Sequence, residues 1–318
     1  YRHKKVNFFI NYSLAYRKPR SKSNLYQETY GADTLFILKQ NNEMVLKGLN
    51  NNIQGGIDYF FSETSVLTGS YLYRRSDANR LMDIRYEDYL FNTSGKPALS
   101  TRRQDENEDE PNSEYSLIYK KSFKQKDHEL TAEMKYLDNW ESSNQLFTHQ
   151  FYNEDGSENT EKKIIQNSLN DESEKQFLVQ LDYVKPVWKE GKIETGFRTS
   201  FRDMTNDYVV AQQNSAGAFV PLPNFDNIFF YDENIHAAYG IVANKQKRFS
   251  YQAGLRAEWT DVKTILRETN EINPRKYTNL FPSVHVTYEL QSENSLQLSY
   301  SRRIRRPFYN DLSPFFTF

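Results

Sequence analysis

Apolar and polar residues alternate along most of the chain with a period of two, the spacing of a β-strand whose faces meet different surroundings. Val6, Phe8, Ile10, Tyr12, Leu14 and Tyr16 open the series, with Asn7, Asn11 and Ser13 between them. The pattern returns at Ile53, Gly55, Ile57 and Tyr59, at Leu67, Gly69, Tyr71 and Tyr73, and at Tyr115, Leu117 and Tyr119. It continues at Leu130–Tyr136, Phe177–Tyr183, Ile193–Phe201, Ile235–Ile241, Tyr251–Trp259, Val284–Leu290 and Leu296–Tyr300. These segments predict about eleven strands of roughly 9–13 residues each, and no long amphipathic helix competes with them.

The connections between strands alternate in length. Short ones fall near Ser62–Thr64, Lys124–Asp127, Lys189–Gly191, Asn244–Lys247 and Gln291–Glu293. Long ones are expected over Lys18–Asn42, Ser76–Asn112, Ser142–Ser173, Val209–Asp232 and Lys263–Thr278. Tight turns at one end of an antiparallel array and long polar loops at the other predict an all-β fold, a transmembrane β-barrel with short periplasmic turns and long extracellular loops. A soluble sandwich has no reason to segregate its connections in this way.

Chain direction gives a second test. Strands that run outward from the short turns should place aromatics at their far ends, and Tyr71, Tyr73, Tyr136, Trp140, Phe201, Trp259 and Tyr300 stand there. Strands that run inward should place them near their final residues, where Tyr59, Tyr119, Tyr183, Trp188 and Tyr288 stand. Two aromatic girdles flanking an aliphatic band suit a bilayer, because Tyr and Trp rings settle at headgroup level. General enrichment of aromatics in strands does not account for placement by strand direction. The intervening face is polar: Lys192, Glu194, Arg198 and Arg202 on one strand, Ser283, His285, Thr287 and Glu289 on another.

Composition narrows the picture. Aromatics make up 15% of the 318 residues, which argues against disorder. No apolar run approaches the ~18 residues of a membrane helix, so only the β type of membrane protein remains. Lys and Arg number 41 against 42 Asp and Glu, so nothing in the net charge points to nucleic acid. Cysteine is absent, which removes disulfides, thiolate metal sites and Cys nucleophiles.

The stretch Leu280-Phe281-Pro282-Ser283-Val284-His285-Val286-Thr287-Tyr288 is followed by Leu296-Gln297-Leu298-Ser299-Tyr300-Ser301-Arg302-Arg303-Ile304-Arg305-Arg306-Pro307 and then Leu312-Ser313-Pro314-Phe315. Together with Glu233–Tyr239 and Phe249–Glu258, these motifs resemble the TonB-dependent-receptor-like outer-membrane β-barrel family of Bacteroidetes. The resemblance covers about the last third of the chain; the rest matches in rhythm only. It implies a Gram-negative outer-membrane location and ligand uptake powered from the inner membrane. In such a family a plug domain precedes the barrel and further strands follow the Arg-rich segment. On that basis residues 1–318 are expected to form one partial barrel domain, an internal segment of a larger barrel, with the plug and the C-terminal strands lying outside it. Pro307 and Pro314 would spoil a terminal membrane strand ending at Phe318.

Candidate sites are few. Asp105-Glu106-Asn107-Glu108-Asp109-Glu110 is an acidic run expected in a long outer loop, either as a site for Ca²⁺ or a cationic ligand or as a solvated tip. Glu172 and Glu174 are likewise expected in a loop as solvated charge. Arg302, Arg303, Arg305 and Arg306 fall at the outer end of the last strand, where they could meet lipopolysaccharide phosphates, lumen carboxylates or a plug. The histidines His3, His128, His149, His236 and His285 show no metal-ligand spacing. No nucleophile elbow, P-loop or dinucleotide fingerprint occurs, so neither catalytic residues nor a cofactor is expected.

Three functions fit this reading. The first is a non-enzymatic receptor segment that captures an unidentified small ligand, with outer-membrane lipid, lipopolysaccharide, the plug and the TonB system as partners. The second is a structural or adhesion barrel without TonB coupling. The third, an outer-membrane barrel enzyme, has no motif in its favour.

Overall fold

A computed structural model describes residues 2–31, 35–90, 96–223, 225–291 and 294–305. The described residues contain strands and no helix. The strands in chain order are β1 (Arg2–His3), β2 (Val6–Arg17), β3 (Arg20–Tyr30), β4 (Leu35–Ser62), β5 (Ser65–Leu90), β6 (Ala98–Ser122) and β7 (Glu129–Tyr152). They continue as β8 (Glu158–Val187), β9 (Gly191–Gln213), β10 (Phe219–Pro221), β11 (Asn227–Gln246), β12 (Phe249–Leu266), β13 (Glu271–Glu289) and β14 (Ser295–Ser301).

All fourteen join one antiparallel sheet in which long strands pair with their neighbours in sequence. Short β3 extends the line of β2 along β4, and β10 caps β9. Pro19 interrupts the β2–β3 line because it has no N–H to offer, yet its carbonyl still accepts from the Leu46 N–H at 3.1 Å. The sheet path begins at β1–β2 and ends at β14, leaving it open between these edges among the described residues.

The long connections expected from sequence are overturned. β4 runs for 28 residues, β5 for 26 and β8 for 30, far beyond the ~9–11 that cross a membrane. Segments such as Ser76–Leu90 and Ala98–Asn112 continue the ladder, paired residue for residue from Ser76 with Glu110 to Asp88 with Ala98. Backbone pairing satisfies their N–H and C=O groups even where both faces are wet, so the strands need no apolar face to persist. The acidic run therefore lies inside β6 and not at a loop tip, and Glu172 and Glu174 lie inside β8.

The two faces of the sheet reverse the pattern of a soluble protein. Exposed large apolar side chains include Phe8, Ile10, Leu14, Ile57, Leu117, Met134, Leu181, Phe197, Leu255, Leu280, Val284 and Leu298. Polar and charged residues outnumber apolar ones among the buried positions; Glu106, Gln104, Ser143, Ser168, Asn206, Glu258 and Thr260 are examples. An apolar face without a protein cover needs lipid, and a crowded polar face belongs to a lumen.

Candidate functional site

Cross-strand register shows what each face presents. On the apolar face, Tyr71 opposes Tyr115 and Tyr115 opposes Tyr136, with ring centroids 4.8 Å and 6.3 Å apart. Phe177 and Phe201 extend the same row. His236 and Trp259 oppose each other nearby, and Thr199 Oγ1 lies 2.6 Å from His236 Nδ1. Towards the turn end stand Phe61 with Tyr59 and Tyr119, and Phe123 stacked on His128 at 4.1 Å. On β6 the outer Tyr115 stands four residues from Tyr119 and eight from Phe123, so the apolar residues between the belts form a band across the tilted strands. One alternation further out on the same face, Asp138, Lys175, Asp203, Asp232 and Lys263 pair in one row, as expected where lipid gives way to headgroups and water.

Beyond that level the inner face carries a wall of carboxylates. The run Asp105–Glu110 is split by the strand period. Asp105, Asn107 and Asp109 point outward, where Arg75 grips Asp109 in a bidentate pair at 2.8 and 3.0 Å and Asn79 donates to Asp105 at 2.9 Å. Glu106, Glu108 and Glu110 point inward. Glu106 is 4% exposed and satisfied: Arg80 Nη1 donates to it at 2.6 Å, Gln145 Nε2 at 2.8 Å and Ser143 Oγ at 3.1 Å. Glu174 accepts from Arg202 Nε at 2.5 Å.

Glu110, Glu141 and Glu172 are less fully answered, Glu172 being met by the Asn206 side chain and, at longer range, by the Arg202 charge. They follow one another on β6, β7 and β8, with Glu141 directly opposite Glu172, and none forms an ion pair among the described residues. They line a recess of about 120 Å³ with Asn139, Trp140 and Glu174. Burial first, then the neighbouring charges of Glu108, Glu172, Glu110 and Glu106, push the Glu141 carboxyl up to about 7. Glu108 and Glu172 are raised as well, chiefly by burial. Asn206 stands opposite Glu172 across β8–β9, 2% exposed, and its side chain reaches that carboxylate.

The profile of the outer membrane protein beta-barrel family matches residues 121–318. The chain belongs to that family. It is thus an outer-membrane protein, and its apolar face is the lipid face. No curated protein matches the chain. Among solved structures, the copper transporter OprC aligns with a TM-score of 0.54 at 14% identity, over 97% of this chain and 47% of that one. The ferric citrate transporter FecA in its unliganded form aligns at 0.47 and 11% identity, over 90% and 42%. The siderophore receptor PiuA from Acinetobacter baumannii aligns at 0.46 and 10%, over 94% and 49%. The chain spans about half the length of each. The OprC alignment supports the fold, a barrel wall of this family's kind.

The residues singled out from sequence are distributed over this wall. Tyr59, Tyr71, Tyr73, Tyr119, Tyr136, Tyr183, Trp259, Tyr288 and Tyr300 lie on strands of the apolar face, and Trp188 lies in the β8–β9 turn. Trp140 stands beyond Asp138, outside the belt, and borders the carboxylate recess. Arg302, Arg303 and Arg305 are exposed just past the end of β14, and none forms an ion pair among the described residues; Arg306, Pro307, Pro314 and Phe318 lie outside those residues. The described histidines do not gather: His128 reaches Tyr183 Oη at 2.9 Å, His149 stacks on Phe151 at 4.4 Å, and no acid–histidine cluster fit to hold a metal occurs among the described residues. Glu141 and Asn139 escaped the sequence reading, because only register brings β6, β7 and β8 to one recess.

Proposed function

We propose that this chain is part of the wall of a TonB-dependent receptor-like barrel that captures a ligand and passes it across the outer membrane. The observation that carries this reading is the continuous polar inner face. It runs from the membrane level up long strands that stand well clear of the bilayer, and it keeps buried, hydrogen-bonded polar groups along that length. A barrel that served only as an anchor would have no use for a tall, structured inner wall. Lipid contact along the apolar face anchors the barrel, the outer projection meets the ligand first, and a plug and the TonB system, supplied with the whole protein, would gate and energise passage. Lipopolysaccharide is the expected neighbour of the outer belt and of Arg302, Arg303 and Arg305.

The test is uptake by cells carrying the full-length protein, with and without an energised inner membrane and with TonB deleted. Ligand accumulation that stops in both conditions supports the reading. Binding at the surface that persists unchanged, with no accumulation, favours the adhesion barrel.

A further inference from the structure

At the short-turn end of the wall, cations are answered on one face and not on the other. Lys120, Lys192 and Lys245 stand on the inner face, and each has its own acid: Glu129 at 3.0 Å, Glu194 at 2.5 Å and Glu289 at 2.6 Å. Lys121, the next residue on β6, stands opposite Leu130 on the lipid face, two residues past Tyr119. Its Nζ reaches only the neutral Thr64 Oγ1, at 3.5 Å. Lys185 stands opposite Ile193 on that same face, two residues past Tyr183. Neither forms an ion pair among the described residues, and nor do Lys124 and Lys126 in the β6–β7 turn, Lys189 in the β8–β9 turn, or Lys247 and Arg248 in the β11–β12 turn. These cations outnumber the short-turn acids Glu63, Asp127 and Glu190. Beyond the outer belt the lipid face is different: Asp138, Lys175, Asp203, Asp232 and Lys263 mix both signs in one row.

A rim that merely met water would have no reason to neutralise one face and leave the other charged. The inner face carries its own counter-ions, so the anion that answers Lys121 and Lys185 comes from what the lipid face touches. Short turns mark the periplasmic side of an outer-membrane barrel. Phe61, Phe123 and Trp188 are exposed there as an aromatic belt, and phospholipid phosphates lie just past such a belt. A lysine stem runs along apolar surface while its ammonium reaches that level. A zwitterionic headgroup brings its own cation, so a lipid with net negative charge is needed to neutralise the excess. We propose that this rim binds anionic phospholipid of the periplasmic leaflet, its phosphates held by Lys121 and Lys185 and by the turn cations beside them. The inference needs the outer-membrane placement of the chain and not the uptake reading. An acidic polypeptide is the competing occupant, but to reach Lys121 and Lys185 it would have to displace lipid from the outside of the wall.

The experiment reconstitutes the full-length protein in phosphatidylcholine vesicles with a trace of spin-labelled phosphatidylglycerol or spin-labelled phosphatidylcholine. Electron paramagnetic resonance gives the fraction of each label held motionally restricted at the protein. Phosphatidylglycerol should be preferred at least twofold at low salt, and the preference should collapse at about 1 M salt, where charges are screened within ~3 Å. Lys121→Gln, Lys124→Gln, Lys185→Gln and Lys189→Gln combined should remove at least half of the preference. Lys120→Gln with Lys192→Gln, on the inner face, should leave it unchanged. The salt series on the wild-type protein keeps the test decisive if a variant fails to fold. A preference that ignores salt, one that survives the fourfold change, or one lost equally in both sets of variants overturns the proposal. A wild-type protein with no preference overturns it in favour of an acidic polypeptide.

Discussion

Arg80 Nη1 lies 2.6 Å from Glu106 Oε2 across β5–β6, joining a half-exposed guanidinium to a carboxylate whose side chain is 5% exposed. Gln145 and Ser143 complete the shell of the other carboxylate oxygen. Removing Arg80 leaves a buried charge with neutral donors only. Arg80→Met should therefore destabilise the folded barrel by about 3 kcal/mol, and Glu106→Gln in the same background should recover most of the loss. Urea unfolding of the full-length protein in lipid vesicles measures both. Additive losses in the double variant would show that the two residues are not coupled.

The Glu141 carboxyl gives the outer wall a pH dependence of defined sign. Its value rises from an ordinary 4.5 to about 7 on folding, so between these values the folded state holds more protons than the unfolded one. Its contribution is favourable below pH ~4.5 and is lost as pH rises through 7, on the order of 1–3 kcal/mol. Glu106, Glu108, Glu110 and Glu172 are the charges responsible after burial itself. Glu141→Gln should be the more stable protein at pH 8 and should flatten the stability profile between pH 5 and 7. A profile of unchanged slope in the variant would assign the effect elsewhere.

Leu117 sits on the lipid face between Tyr115 and Tyr119, 44% exposed to what would be hydrocarbon. Leu117→Arg should cost about 2–4 kcal/mol, because the new charge has no water at that depth. Ser116→Arg, one residue away on the inner face, should cost far less. Comparing the two by the fraction of protein that resists unfolding on an unheated gel separates lipid facing from general intolerance. Equal losses would contradict the assignment of faces.

The membrane-crossing part of most long strands was legible in the sequence because two unlike solvents write a period of two into it; on β11 the apolar series Ile235, Ala237, Tyr239 and Ile241 instead faces inward, in register with Ser200, Arg198, Gly196 and Glu194. Ile57 and Tyr59 alternate with Gly56 and Asp58, as Leu117 and Tyr119 are flanked by Ser116 and Lys120. Above the bilayer that contrast ends. Arg75, Asp77 and Asn79 on one face and Ser76, Ala78 and Arg80 on the other are all compatible with water, so the segment reads as loop although its backbone is fully paired. The short turns near Ser62–Thr64, Lys124–Asp127 and Lys189–Gly191 were found in place because a reversal of direction between apolar segments has its own polar punctuation; Asn244–Gln246 instead belong to β11, and Ser292 and Glu293 lie outside the described residues. The carboxylate recess was invisible for a different reason: Glu110, Glu141 and Glu172 are far apart in sequence, and only the pairing of β6 with β7 and of β7 with β8 brings them side by side. A run of acids in one strand was conspicuous, yet half of it points outward and only part of the recess comes from it.

Gly196 makes room for a contact that spans two strand pairs. It stands opposite Asp182 on β8 and Tyr239 on β11, and the Tyr239 hydroxyl donates to Asp182 Oδ1 at 2.5 Å. The ring must pass over Gly196 to reach that acid. A Cβ there would lie 2.4 Å from a ring carbon of Tyr239 and 2.7 Å from Asp182 Oδ1. Both contacts are closer than van der Waals packing allows, and each belongs to a group already held by the other. Gly196→Ala should therefore displace the ring and break the hydrogen bond, at a cost of about 1–3 kcal/mol. Tyr239→Phe should lose only the bond, about 1–2 kcal/mol. If crowding is the cause, Gly196→Ala should become nearly harmless once Tyr239 is shortened to Ser, because the small side chain no longer crosses the glycine. Unfolding midpoints of the three variants and the double variant decide the matter; an undiminished penalty in the Ser background would place the role of Gly196 in the backbone instead.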